Sequence, residues 1–149
     1  SQIWSCQFPR TLLQSSGFCT MGCALPLAIG HQLADADRPV IAFTGDAGLE
    51  MVLGELATLR DLQLPVIVVV FVDESLALIE LKQRAMGYDN LGVDFGHTNF
   101  PALAKALGGN GILAENRAHL SAAIKDGLKN RTFTLIACPI GHRPYEDRF

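Results

Sequence analysis

Apolar positions along the chain switch repeatedly between two patterns. Continuous apolar runs rich in β-branched residues alternate with stretches in which apolar residues recur every three or four positions. The runs predict buried strands, and the spaced stretches predict amphipathic helices. Strands are predicted over 40–44, 66–72, 111–114 and 133–138, and helices over 21–33, 47–62, 75–86, 99–107 and 118–128. This alternation predicts a doubly wound α/β domain, with a parallel sheet and helices on both faces.

Two asparagines and several glycines set the predicted helix ends. Asn99 and Asn116 are good N-caps, and Pro101 suits the first turn after Asn99. Gly87 and the Gly108-Gly109 pair are expected to end the helices that precede them.

Composition narrows the class of protein. The 149 residues are 49% hydrophobic and 18% charged, with a net charge of −3, which excludes intrinsic disorder. A basic stripe for nucleic acid is missing, and the longest apolar run, 64–72, is too short for a membrane span. Without a secretory signal at Ser1, we expect a cytoplasmic protein with four reduced cysteines, at positions 6, 19, 23 and 138.

Small residues and an aspartate follow the first predicted strand. Gly45, Ala47 and Gly48 would let the backbone approach a ligand, and the next helix would offer free N–H groups to a phosphate. Asp46 is out of place beside an anion unless a cation lies between them.

A second carboxylate follows the next predicted strand. Asp73 comes 27 residues after Asp46, and one helix and one strand lie between them. That interval returns the chain to the same edge of the sheet, where two carboxylates could hold Mg²⁺. The alternative is two ordinary loop aspartates.

Several segments in one order resemble a known family. Gly45-Asp46-Ala47, a helix containing 55–58, Leu64-Pro65, the apolar strand and Asp73 resemble the thiamine diphosphate motif of the acetolactate synthase and pyruvate decarboxylase family. Upstream, the segments 9–10, 15–17, 20–22 and 25–30 resemble the acetolactate synthase form of the preceding region. The resemblance implies the thiamine diphosphate-binding fold, with thiamine diphosphate and Mg²⁺ as cofactors.

The resemblance also implies roles for single residues. Asp46 and Asp73 would bind Mg²⁺ through their side chains, and Ser75 through its backbone carbonyl. The Ala47 and Gly48 amides would hold the diphosphate, with Gly45 and Leu76 beside it. Met21 would wedge between the two cofactor rings, and the Cys19 carbonyl would accept a hydrogen bond from the aminopyrimidine. A plain core methionine is the alternative for Met21.

Five positions depart from the family pattern. Val72-Asp73 replaces Asn-Asn, Gly48 replaces a frequent serine, and Glu50 is unusual for the start of that helix. Lys82 stands where acetolactate synthases have a tryptophan that shapes the substrate pocket, unless it simply faces solvent. Strict acetolactate synthase activity is therefore in doubt. His31, His97, His119 and His142 have no clear partners, and we expect them to be structural or solvated.

The resemblance implies a larger enzyme than this chain. A 2-oxo acid would be the substrate, and the activating glutamate would come from a missing pyrimidine-binding domain, so no catalytic residue is expected here. We expect residues 1–149 to be one diphosphate-binding domain, a fragment lacking its first strand, within a homodimer or homotetramer. The alternatives are the diphosphate-binding subunit of a two-chain decarboxylase, or a non-catalytic cofactor-binding domain.

Overall fold

The computed structural model describes residues 4–141 and contains a four-stranded parallel sheet in that range. The strands are β1 (Ile41–Gly45), β2 (Ile67–Val72), β3 (Asn110–Leu113) and β4 (Thr134–Pro139). Their order is β1-β2-β4-β3, and every neighbouring pair runs parallel. The predicted α/β class is confirmed, with strand limits within about one residue of those expected.

Helices lie on both faces of this sheet. Six occur within the described residues: α1 (Ala24–Ala34), α2 (Asp46–Glu50), α3 (Glu55–Asp61), α4 (Ala77–Ala85), α5 (Phe100–Ala106) and α6 (Arg117–Gly127). Val68 and Val70 of β2 join a core with α1, α2, α3 and α5, whereas Ile67 and Val69 join a second core with α6. Successive strand residues point to opposite faces, so the apolar run of β2 supplies both cores.

The prediction of one continuous helix over 47–62 was wrong. The structure has α2, then a turn over 51–54, then α3. Two hydrogen bonds of the 3₁₀ type tighten the turn: Glu55 N donates to Val52 O (2.9 Å), and Leu56 N donates to Leu53 O (3.1 Å). Gly54 lies at the break, and glycine weakens a helix interior relative to alanine.

Helices α1 and α4 begin later than the apolar pattern predicts. A residue with positive φ precedes each of them: Gly22 before α1 and Glu74 before α4. Gly22 has φ +82°, so α1 begins at Ala24 rather than at position 21. Glu74 has φ +57° and Ser75 pairs with Asp94 in an antiparallel bridge, so α4 begins at Ala77.

The two predicted asparagine caps are confirmed. The Asn99 side chain accepts a hydrogen bond from Ala102 N (3.0 Å), and the Asn116 side chain accepts one from His119 N (2.9 Å). Pro101 lies in the first turn of α5, as expected. Across residues 4–141, no helix is both long and apolar enough to cross a membrane.

Candidate cofactor and metal site

The two candidate loops meet at the carboxyl ends of β1 and β2. Gly45 lies opposite Phe71 in the parallel register, so Asp46 and Asp73 emerge from neighbouring strand ends. Oδ2 of Asp46 accepts hydrogen bonds from Asp73 N (3.0 Å) and Glu74 N (2.8 Å). Both aspartates therefore lie at the carboxyl ends of neighbouring strands, as their spacing predicts.

Asp46 is a buried carboxylate bound to backbone donors. Its side chain belongs to a residue that is 3% exposed, and Oδ1 accepts a third hydrogen bond from Ala47 N (2.8 Å). Hydrogen bonds to an ionised acceptor are stronger than neutral ones. The Ala47 amide, expected at the diphosphate, thus serves Asp46 in this structure and would have to share its proton with a phosphate oxygen.

The donor set around Asp46 suits a hard divalent cation. Asp73 is 8% exposed and Ser75 is 5% exposed, so the loop that donates hydrogen bonds to Asp46 is buried at both residues. In the described range 4–141, no three side chains of His, Cys, Asp or Glu are grouped to hold a metal. Mg²⁺ here would need the Ser75 carbonyl, water and phosphate oxygens beside two carboxylates, which is the coordination that Mg²⁺ commonly adopts.

The Ser75 hydroxyl is an orphaned polar atom in the same loop. Its Oγ is buried and has no hydrogen-bond partner within the part of the chain that the structure describes. Buried polar groups are nearly always paired. An unpaired hydroxyl between Asp73 and Leu76 fits a site that a bound group would complete.

Glycine at position 48 has a packing reason. A Cβ there would lie 2.9 Å from Thr44 Oγ1 and 3.5 Å from Gly22 N. A Cβ on Gly22 would in turn lie 3.2 Å from Gly48 O. The backbones of Gly22 and Gly48 therefore approach each other closely, and a side chain at position 48 would crowd Thr44.

Residues 19–21 directly precede Gly22, which approaches Gly48 of α2. Met21 is 45% exposed, so its side chain is not enclosed in the core. Cys19 has φ +49°, a strained backbone for a non-glycine residue. A cleft of about 270 Å³ runs beside them, lined by residues that include Cys19, Thr20, Leu27 and Phe43. A Cβ on Gly45 would meet nothing within 4 Å, so the backbone at the end of β1 is open to a ligand.

Sequence reasoning missed the segment 93–98, which lies against the 73–76 loop. Leu76 N donates to Val93 O (2.8 Å), and Phe95 N donates to Glu74 O (3.2 Å). His97 was expected to have no clear partner, which was wrong, because its Nδ1 lies 2.6 Å from Glu74 Oε1. Thr98 Oγ1 donates to Glu50 Oε1 (2.6 Å).

The remaining candidates are more exposed or lie outside the structure described. Lys82 is exposed on α4, as the solvent alternative expected. His119 lies 4.0 Å from Glu115 on the surface of the molecule, and His142 is outside the described residues. All four cysteines are free, and Cys138 is buried.

A larger cleft, of about 380 Å³, lies toward the amino ends of the strands, away from Asp46. Arg60, Gln63, Asn110 and Arg131 are among its lining residues, and Asn110 opens β3. Ligands of open parallel sheets bind beyond the carboxyl ends of the strands. We therefore assign the candidate site to the Asp46 edge.

An open parallel sheet with buried carboxylates and close-packed glycines at the carboxyl ends of its strands is typical of α/β domains that bind a cofactor. Residues 1–138 match the family described as thiamine pyrophosphate enzyme, C-terminal TPP binding domain. The chain belongs to this family, which confirms the resemblance noted in its sequence.

Relatives with described activities are similar over most of this chain. The acetolactate synthase large subunit of Porphyra purpurea is 31% identical over 146 residues, 93% of this chain and 25% of that protein. The acetolactate synthase isozyme 1 large subunit of Escherichia coli (strain K12) is 35% identical over 134 residues, 84% of this chain and 24% of that protein. The chain thus spans about a quarter of the length of these relatives.

A solved structure shares the fold. Benzoylformate decarboxylase from Polynucleobacter necessarius superposes with a TM-score of 0.73 at 24% identity, over 84% of this chain and 24% of that one. At this identity the likeness supports the fold alone.

Proposed function

We propose that this chain binds the diphosphate of thiamine diphosphate through Mg²⁺, within a 2-oxo acid decarboxylase or carboligase that resembles acetolactate synthase. The observation that carries the proposal is the hydrogen-bonded junction of Asp46 with the backbone of Asp73 and Glu74. It holds two buried aspartates at neighbouring strand ends, on the side of the sheet where ligands of this architecture bind.

In this proposal the residues of the chain bind and orient the cofactor. Asp46, Asp73 and the Ser75 carbonyl would hold Mg²⁺, which would bridge to the phosphates. Gly48 and Ala47 would offer amides to the diphosphate, with Gly45 and Leu76 beside it.

The neighbouring 19–22 segment would hold the organic part of the cofactor. Met21 would support the bend between the two rings, and the Cys19 carbonyl would accept a hydrogen bond from the exocyclic amine. Cys19 lines the cleft, and Gly22, which follows Met21, approaches Gly48 of α2. When bound, the cofactor supplies the carbanion chemistry of 2-oxo acid cleavage.

The rest of the proposed enzyme lies outside this chain. A pyrimidine-binding domain would supply the activating glutamate, the functional unit would be a homodimer or homotetramer, and the protein would work in the cytoplasm. The four free cysteines are consistent with a reducing compartment. Lys82 stands where the resemblance expects the tryptophan of a strict acetolactate synthase, so the proposal names the substrate only as a 2-oxo acid.

The test is calorimetry of thiamine diphosphate with the full protein, with and without Mg²⁺. We expect binding that needs Mg²⁺, that weakens about tenfold or more in Asp73→Ala, and that largely survives in Asp73→Asn. Asp126→Ala is the matched control, because Asp126 is exposed on α6 and paired only locally with Lys129. Equal affinity in Asp73→Ala and the unchanged protein would overturn the proposed metal site.

A further inference from the structure

The segment 93–98 connects the two halves of the candidate site. One half is α2, which begins at Asp46 and ends at Glu50, and the other is the 73–76 loop. Thr98 Oγ1 donates to Glu50 Oε1 at 2.6 Å, across 48 residues of sequence. His97 Nδ1 lies 2.6 Å from Glu74 Oε1. Consecutive residues of one segment therefore reach both halves.

Glu74 needs such support, because its backbone conformation is unfavourable. Its φ is +57°, in the left-handed region that a non-glycine residue rarely adopts. Three contacts hold it there: its N–H donates to Asp46 Oδ2 (2.8 Å), its carbonyl accepts from Phe95 N (3.2 Å), and its side chain meets His97. A residue keeps an unfavourable backbone conformation only where several surrounding contacts hold it there.

The Thr98 to Glu50 contact is the better protected of the two side-chain contacts. Thr98 and Glu50 are both half-buried, whereas the side chains of His97 and Glu74 are 68% and 40% exposed. A short hydrogen bond to a carboxylate that is shielded from water is stronger than an exposed pair. Thr98 should therefore contribute more than His97 to holding the two halves together.

We infer that Thr98 and His97 are positioning residues, which hold α2 and the 73–76 loop at the separation needed to bind Mg²⁺ and the diphosphate. The inference rests on the proposed function for its ligand. Neither residue is expected to touch the cofactor, and both act through Glu50 and Glu74. The segment 93–98 would thus hold the site in place before the cofactor binds. This lowers the free-energy cost of ordering the 73–76 loop on binding.

The test compares Thr98→Val, which keeps the shape and removes the hydroxyl, with Thr98→Ser, which keeps the hydroxyl. Two readouts are used on the full protein: hydrogen exchange of the 73–76 amides without cofactor, and calorimetric affinity for thiamine diphosphate with Mg²⁺. Thr58→Val is the matched control, because Thr58 also donates to a glutamate, Glu55 (3.0 Å), but within α3.

We expect Thr98→Val to speed hydrogen exchange of the 73–76 amides and to weaken cofactor binding several-fold. Thr98→Ser should match the unchanged protein in both measurements, and Thr58→Val should change neither. His97→Phe should give a smaller effect of the same sign, and His97→Gln should reverse part of it. If Thr98→Val is too unstable, Glu50→Leu against Glu50→Gln repeats the comparison from the acceptor side.

Unchanged exchange at 73–76 in Thr98→Val, or the same acceleration in Thr58→Val, would overturn the inference. The exchange measurement needs no cofactor. Failure of the unchanged protein to bind thiamine diphosphate would therefore overturn the proposed function, while the exchange comparison would still decide whether Thr98 holds the loop.

Discussion

Asp46 Oδ2 accepts a hydrogen bond from the backbone N–H of Asp73, 27 residues further along the chain, at 3.0 Å. The same oxygen accepts from Glu74 N at 2.8 Å. One buried carboxylate therefore joins the ends of β1 and β2. Asp46 has a structural role that is separate from any metal that it binds, and the two roles call for different substitutions.

Replacing Asp46 by alanine should lower the free energy of unfolding, because it leaves the N–H groups of Asp73 and Glu74 without their acceptor. An unpaired buried donor costs about 1–3 kcal/mol. Asp46→Asn keeps one acceptor oxygen and should cost less, although it removes a negative charge from the proposed Mg²⁺ site. Urea unfolding without Mg²⁺ measures the first effect, and calorimetry with Mg²⁺ and thiamine diphosphate measures the second.

Equal destabilisation by Asp46→Asn and Asp46→Ala would contradict this separation. The charge of Asp46, rather than its ability to accept hydrogen bonds, would then hold the two strand ends together.

The meeting of Asp46 and Asp73 could be predicted, whereas the contacts of segment 93–98 could not. Apolar runs identify parallel strands, and parallel strands joined through a helix end at the same edge, so spacing alone brought the aspartates together. Thr98 and Glu50 are polar, 48 residues apart, and part of no periodic pattern. Their contact depends on how the 93–98 segment packs, which single-residue patterns do not encode. Gly54 was visible in the sequence, but the pattern of apolar residues around it still predicted one helix.

Gly48→Ser should destabilise the protein, because a Cβ at position 48 would lie 2.9 Å from Thr44 Oγ1. Overpacking of this kind typically costs about 1–3 kcal/mol. In a Thr44→Ala background the obstructing oxygen is gone, so the cost of Gly48→Ser should shrink. Urea unfolding of the two single variants and the double variant gives the coupling energy, expected at about 0.5–3 kcal/mol for residues in contact. Strict additivity would show that the Thr44 side chain moves aside at little cost.

Two glycines offer a contrast between a required and a replaceable position. A Cβ on Gly111 in β3 would overlap the carbonyl oxygen of Pro101 in α5, and a backbone atom cannot rotate away. Gly111→Ala should cost at least about 3 kcal/mol or prevent folding. Gly30 lies in α1 with nothing within 4 Å of a Cβ, so Gly30→Ala should raise stability by about 0.5–1 kcal/mol. Thermal and urea unfolding compare the pair, and a tolerated Gly111→Ala would mean that α5 can move away from β3.

Cys138 should be the least reactive of the four thiols. It is 6% exposed in the core shared with α6, and burial raises its pKa because the thiolate loses hydration. Cys6 and Cys19 are exposed. At mildly alkaline pH, iodoacetamide should modify Cys6 and Cys19 rapidly and Cys138 only after unfolding, as read by mass spectrometry of the digested protein.

Burial of Cys138 should also make stability depend on pH. Because the pKa of its thiol is higher in the folded than in the unfolded protein, its contribution to stability is complete below the ordinary thiol pKa of about 8.5 and falls as pH rises above it. Cys138→Ala should show a shallower alkaline loss of stability, and equal labelling rates for Cys138 and Cys6 in the native protein would contradict the buried position.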